Sequence, residues 1–276
     1  MTAKDKAEKY INPRFRLVKI RSASVFFFAK RIELILGLLK KMKRGQEIRR
    51  HFGVSHSVYE VYDDWEMRAY ENGSNWTLDH GRMNFVSFID VRNYYLAAVI
   101  SEAKRLYEIN EGRPVEILEV GCGNGTNLMV LAEALGEKVK LRGIDISTQR
   151  IAKGQLYWGE KLTDVEMLED SATTLATQND ASADLVFSLH CLEQIPYSVD
   201  DCLRSMARVT RGRVVFCEPV WEYANSTQKL YSLIGDQLRT LLPSIPLCGL
   251  EVVEQYKAEL IANPLNQTGI VIANKT

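Results

Sequence analysis

From Val115 to Asn127 the chain reads Val-Glu-Ile-Leu-Glu-Val-Gly-Cys-Gly-Asn-Gly-Thr-Asn. An apolar strand (Ile117, Leu118, Val120) runs into glycines at alternate positions, Gly121, Gly123 and Gly125. Leu128, Leu131, Ala132 and Leu135 then recur at helical spacing, so a helix follows at once. Glycines at such a strand-to-helix bend let a ligand lie against bare backbone at the carboxyl edge of a sheet. Glu119 precedes the bend. A carboxylate there would repel a phosphate, whereas an ammonium or a hydroxyl would be attracted. The ligand implied is nucleoside-like and carries no pyrophosphate.

Beyond residue 114 strands and helices alternate. Strands are expected near 115–120, 140–144, 164–168, 184–189 and 213–217, and helices near 126–136, 147–160, 199–209 and 224–240. Ser198 and Asp201 have the spacing of a capping box for the third of these helices. Two extended runs flank Asn263-Pro264-Leu265-Asn266 and close the chain as a hairpin. Repeated βα units build a parallel, doubly wound sheet, to which that hairpin adds an antiparallel strand. Upstream, 84–109 reads as one long helix, 53–82 is rich in aromatics, and Gly73-Ser74-Asn75 marks a turn.

A formal net charge of zero conceals a division. Residues 1–52 hold 15 basic and 4 acidic side chains, a balance of +11, and the rest of the chain balances it at −11. Within this end, residues 24–42 are apolar but broken by Lys30, Arg31 and Glu33, too short and too charged to span a bilayer of about 20 residues. The late apolar run and missing cleavage site argue against a secretory signal. Basic clusters flank it across residues 14–44, a pattern suited to an anionic membrane surface or to packing on the acidic remainder. The division expected is a basic helical extension (1–52), a helical and aromatic lid with the substrate region (53–111), and a ligand-binding α/β domain (112–276). Five cysteines without a Cys-x-x-Cys pair, and four scattered histidines, point to reduced thiols, a cytoplasmic setting and no metal site.

The run Glu119-Val120-Gly121-Cys122-Gly123-Asn124-Gly125 resembles the first motif of class I S-adenosylmethionine-dependent methyltransferases, and the resemblance extends over roughly 112–276. It implies a Rossmann-like sheet of seven mostly parallel strands, with S-adenosyl-L-methionine held by Glu119, Gly121, Gly123, Asn124 and Gly125. Asp145, ending the second strand, would accept the ribose hydroxyls, with Ile146 against the adenine. Asp170 and Ser171 would meet the adenine edge, and Leu189 would line the pocket at the end of the fourth strand. Ser188–Pro196 is similar to the family's Leu-Glu-His-Ile stretch, except that Gln194 stands where the histidine often is.

Methyl transfer to a hydroxyl requires alignment and removal of a proton. His190, just past a strand's carboxyl end, is the candidate base, and Glu218, after Val214–Cys217, is the candidate for orienting substrate. Trp76, His80 (with Asp79) and Tyr94 are candidate acceptor contacts in the lid. The acceptor expected is a small or lipid-linked molecule, with oxygen favoured by the available His190 and the lack of nitrogen-specific and nucleic-acid signatures, and lipid linkage by the basic N-terminal helix. A nicotinamide enzyme needs a glycine where Thr126 stands, and Tyr157-Trp158-Gly159-Glu160-Lys161 lies too early to serve as a dehydrogenase Tyr/Lys pair. Nucleic acid is disfavoured: the catalytic part is acidic, and no Asn/Asp-Pro-Pro-Tyr follows the fourth strand, although the basic terminus leaves RNA as an alternative. A non-catalytic scaffold that merely binds the cofactor is the other alternative.

Overall fold

The computed structural model describes residues 74–234 and 237–276. The basic extension 1–52, and the aromatics expected to begin the lid, lie outside them. The domain is built on a mixed sheet of seven strands in the order β5-β4-β3-β6-β7-β10-β8. These are β3 (Val115–Val120), β4 (Val139–Asp145), β5 (Val165–Glu169), β6 (Ala183–Leu189), β7 (Thr210–Pro219), β8 (Leu250–Lys257) and β10 (Thr268–Lys275). Strands β5, β4, β3, β6 and β7 pair in parallel, and β10 runs antiparallel between β7 and β8. The doubly wound sheet with its closing antiparallel hairpin is the one the alternation of elements implies.

Period-two alternation decides what each strand shows to each layer. Ile117, Leu185, Phe187, Val215 and Ile270 join one core beneath α1 (Phe88–Ile109), α2 (Thr126–Leu135) and α3 (Thr148–Trp158). Leu118, Val120, Val186, Phe216 and Val271 form the other, covered by α4 (Val199–Val209). Both faces are therefore apolar, as a parallel sheet buried on two sides requires. The strand order reverses between β3 and β6, so their carboxyl ends open the crevice where such sheets bind ligands.

A second, three-stranded sheet lies in the order β2-β1-β9, from β1 (Ser74–Asp79), β2 (Arg82–Ser87) and β9 (Leu260–Ile261). Four local expectations are corrected here. The reversal is His80-Gly81, with both residues at positive φ, rather than Gly73–Asn75, because Ser74 and Asn75 already pair with Ser87 and Val86. The long helix begins at Phe88, capped by Ser87 Oγ accepting from Asp90 N; residues 84–87 extend β2. Ser198 occupies the N-cap of α4 without a side-chain cap bond, so no capping box forms. The stretch expected as one helix over 224–240 is α5 (Ser226–Ile234), and a further short helix, α6 (Leu241–Ser244), follows.

Candidate functional site

The bend after β3 is built as its glycines predict: Gly121, Gly123 and Gly125 adopt φ of 79°, 54° and 75°. Gly121 N and Cys122 N donate to Ile144 O of the neighbouring strand, both at 2.8 Å, anchoring the bend to β4. The side chains missing from it matter as much. A Cβ on Gly121 would collide with Cys191 Sγ, and one on Gly123 with the Arg150 guanidinium. Gly154 in α3 likewise leaves room for the Asn124 carbonyl, which also accepts from Trp158 Nε1 at 3.1 Å. Tight packing beneath the loop fixes where its backbone can be.

Glu119 is fully buried at the end of β3. Asn127 Nδ2 donates to its Oε1 at 2.6 Å, and Arg92 Nη1 in turn donates to Asn127 Oδ1 at 3.1 Å. The other oxygen, Oε2, is buried without a hydrogen-bond partner. Burial pushes this carboxyl up to about 8, against the Asn127 hydrogen bond and the Arg92 charge. Asn124 contributes a second orphan, since Oδ1 accepts from Thr126 while Nδ2 is buried and unpaired. A buried group with no partner is expensive. The bend and the strand before it thus carry one unsatisfied amide donor and one unsatisfied carboxyl oxygen.

On the β4 side, Asp145 Oδ2 accepts from Gly123 N and Oδ1 from Ser147 N, both at 2.9 Å, and Arg150 Nη1 lies 3.6 Å from Oδ2. Ile146 beside it is half-buried, and Leu189 is buried at the end of β6. Asp170 is held differently from what the sequence suggests. Its carboxylate accepts from the backbone of Ser171, Ala176 and Thr177 and from Thr177 Oγ1, at 2.6–3.0 Å. A carboxylate has about four acceptor positions, and all are directed into the 171–177 loop. Ser171 Oγ is bonded to Thr173 Oγ1.

Across the crevice, His190 sits at φ 53° directly after β6. Its Nδ1 meets Glu193 Oε1 and its Nε2 meets Thr268 Oγ1, each at 3.0 Å. Thr268 Oγ1 also meets Tyr95 Oη at 3.3 Å, and Asn266 Nδ2 donates to Glu193 Oε2. Burial disfavours the imidazolium, but the Glu193 carboxylate, by charge and by hydrogen bond, and the Glu218 charge outweigh it and leave His190 raised. Glu218, wholly buried at the end of β7, accepts from Cys191 N and Leu192 N on Oε1 and has no partner on Oε2. Burial pushes it up to about 7.

Two of the lid candidates, Tyr94 and His80, meet at Glu259. Tyr94 Oη accepts from Glu259 N, tying α1 to the turn before β9. His80 is largely exposed at the hairpin tip, 3.6 Å from Glu259 Oε2 and 3.9 Å from Asp79 Oδ1. Trp76 lies on β1, paired with Phe85. Of the Tyr157/Lys161 pair, Lys161 forms an ion pair with Glu133 of α2 at 3.0 Å. Sequence reasoning missed Arg92, Asn127, Arg150 and Glu193. Asn127 was within reach, as the first turn of the helix after a glycine bend is where a polar side chain can face the strand end. Arg92 had no signal, since nothing local relates α1 to that helix.

Residues 117–212 match the family model described as a methyltransferase domain. Two curated relatives are ubiquinone biosynthesis O-methyltransferases. One, from Paracidovorax citrulli, is 35% identical over 109 residues, covering 35% of this chain and 44% of the relative. The other, from Pseudomonas fluorescens Pf-5, is 29% identical over 157 residues, covering 52% and 65%. The match thus spans 44–65% of these relatives' length, less than two thirds of either. Among solved structures, magnesium protoporphyrin IX methyltransferase from Synechocystis PCC 6803 with bound SAH shares the fold. Its TM-score is 0.53 at 18% identity, over 80% of this chain and 99% of that one. Residues 117–212 thus carry a methyltransferase domain of the S-adenosylmethionine-dependent kind, on the sheet order and glycine bend described above.

Proposed function

We propose that this protein binds S-adenosyl-L-methionine at the Gly121–Gly125 bend and methylates a small-molecule acceptor, lipid-linked and attacked through oxygen. The observation that carries the reading is the pair of unsatisfied buried groups at the bend, Glu119 Oε2 and Asn124 Nδ2. An α-amino acid end supplies both partners: its ammonium donates to Glu119, its carboxylate accepts from Asn124, and the Arg92 charge lies close by. Asp145 takes the ribose hydroxyls. Asp170, with its acceptor positions directed inward, serves the adenine end by holding the 171–177 loop and Ser171 in place rather than by touching the base. Ile146 and Leu189 furnish apolar contact.

When bound, the cofactor supplies an electrophilic methyl on a sulfonium whose leaving group is neutral. What remains for the chain is to orient the acceptor and move its proton. His190 takes that proton at Nε2 by exchanging its bond to Thr268, while Glu193 holds Nδ1–H and stabilises the imidazolium. Glu218 holds the Cys191–Leu192 backbone that follows His190. Support for an oxygen acceptor comes from the relatives' names and from this histidine–glutamate pair. The lid residues Trp76, His80 and Tyr94 are proposed for the acceptor side, and an anionic membrane surface is proposed to meet residues 14–44. Among the described residues no helix is long and apolar enough to cross a membrane.

Calorimetry with S-adenosylhomocysteine tests the reading directly. Wild type is expected to bind, and Asp145→Asn to lose about tenfold or more, the size of a charge-assisted bond. No binding by wild type, or unchanged binding by the variant, would dismiss it. Binding without turnover on any phenolic acceptor would favour the scaffold alternative.

A further inference from the structure

The buried carboxyl groups of the site differ in what the fold gives them to hold a charge. Asp145 accepts from two backbone amides, Glu218 from two, and Asp170 from three and a hydroxyl. Glu119, fully buried, accepts from Asn127 Nδ2 alone, and its Oε2 has no hydrogen-bond partner. An ionised carboxylate offers about four acceptor positions, so most of them go unmet in an interior where that is costly. The direction of the one bond is set from α1. Arg92 Nη1 can only donate, so Asn127 Oδ1 accepts from it and the amide nitrogen turns to Glu119. Facing Glu119 are also the charges of Asp145 on β4 and Arg150 on α3, and the thiols of Cys122, Cys191 and Cys217, which burial keeps protonated. Burial opposes the Glu119 charge most strongly, and the Asn127 bond and the two guanidiniums do not make up for it.

We infer that Glu119 is a carboxylic acid in the free protein and gives up its proton when an α-ammonium group docks against it, so that cofactor binding is coupled to release of a proton. The inference rests on the cofactor reading above and deepens it. Contact alone leaves the proton count open, because a neutral Glu119 could donate to the cofactor's carboxylate and keep its proton. Asn124 decides between the two arrangements. Its Nδ2 is a donor without a partner, so it serves the carboxylate and leaves the ammonium to Glu119. The Glu119 O–H bond then breaks, the proton passes to solvent, and a buried ammonium–carboxylate pair forms; nothing is oxidised or reduced. A ligand without the amino acid end brings no ammonium and leaves the proton in place. With the carboxyl pushed up to about 8, the free protein holds the proton at lower pH, and affinity for an ammonium-bearing ligand falls as pH drops below that value. Above it the affinity levels off.

Calorimetry on the full chain at about pH 7, in buffers of different ionisation enthalpy, counts the protons. S-adenosylhomocysteine is expected to release about half to one proton per site. The second probe, methylthioadenosine, keeps the nucleoside and the thioether but lacks the amino acid end, and should release about none. Affinity for S-adenosylhomocysteine should rise about ten- to fiftyfold from pH 6 to pH 8, while that for methylthioadenosine stays within about twofold. Glu119→Gln should abolish both the release and the slope. No release with S-adenosylhomocysteine would mean that Glu119 keeps its proton or never held one. Equal release with both probes, or release that persists in Glu119→Gln, would assign the proton to another group. Each of these results overturns the inference. Should Glu119→Gln fail to fold, the two probes on wild type decide by themselves. Failure of the cofactor reading looks different and takes the inference with it: wild type would bind neither probe.

Discussion

At Glu119 one carboxyl group links burial, protonation and ligand choice. Burial pushes it up to about 8, and Glu218 follows to about 7, so both native forms hold protons that the unfolded chain has released above its ordinary carboxyl range. For such raised groups the contribution to stability is complete below about pH 4.5 and disappears as pH rises through the folded value. Ligand-free protein is therefore expected to melt at progressively lower temperature from pH 5 to 8.5. Glu119→Gln should flatten that slope; an unaltered slope in thermal unfolding would contradict the assignment. Asp170 works in the opposite manner, as an acceptor filled by its own loop. Asp170→Asn should lower stability by about 1–3 kcal/mol through orphaned backbone donors, with affinity for S-adenosylhomocysteine falling only in step with loop order. A large affinity loss in a fully stable variant would return Asp170 to direct ligand contact.

Elements carry the site because they can approach each other closely. Helix α3 meets the 121–125 loop where Gly154 faces the Asn124 carbonyl and Trp158 Nε1 bonds it. Gly154→Ala forces a methyl into that backbone contact. It should cost about 1–3 kcal/mol, the usual penalty of overpacking, and displace Asn124 enough to weaken cofactor binding measurably. Normal stability in denaturant titration would mean that α3 can back away from the loop. Helix α1 contributes at longer range. It brings Arg92 to Asn127, and its Tyr95 hydroxyl accepts from Ala262 N while meeting Thr268. The elements themselves were largely legible from periodicity: β3 and α4 begin and end where their apolar pattern does. Residues 84–87 were not, because Phe85 and Val86 fit a helix period as well as a strand, and only pairing with β1 decides between them.

Across the whole molecule, charge separation suggests where the acceptor is met. Residues 1–52 carry +11 against −11 for the rest. If this end meets an anionic bilayer, the full chain should float with vesicles rich in acidic phospholipid at low salt and lose that association in a form lacking residues 1–52. Equal flotation by both forms would end the idea.

The sequence by itself determined the sheet class, the bend and the acid that follows β4, because strand periodicity, glycine conformation and the βα alternation are local or nearly local properties. Only the tertiary structure decided what those residues touch. Asp170 faces its own loop, His190 is gripped at both nitrogens by Glu193 and Thr268, and Arg150 lies over Gly123. Such contacts join chain segments up to 78 residues apart, as for His190 and Thr268. They depend on how layers pack and which way side chains turn, and no local pattern encodes that.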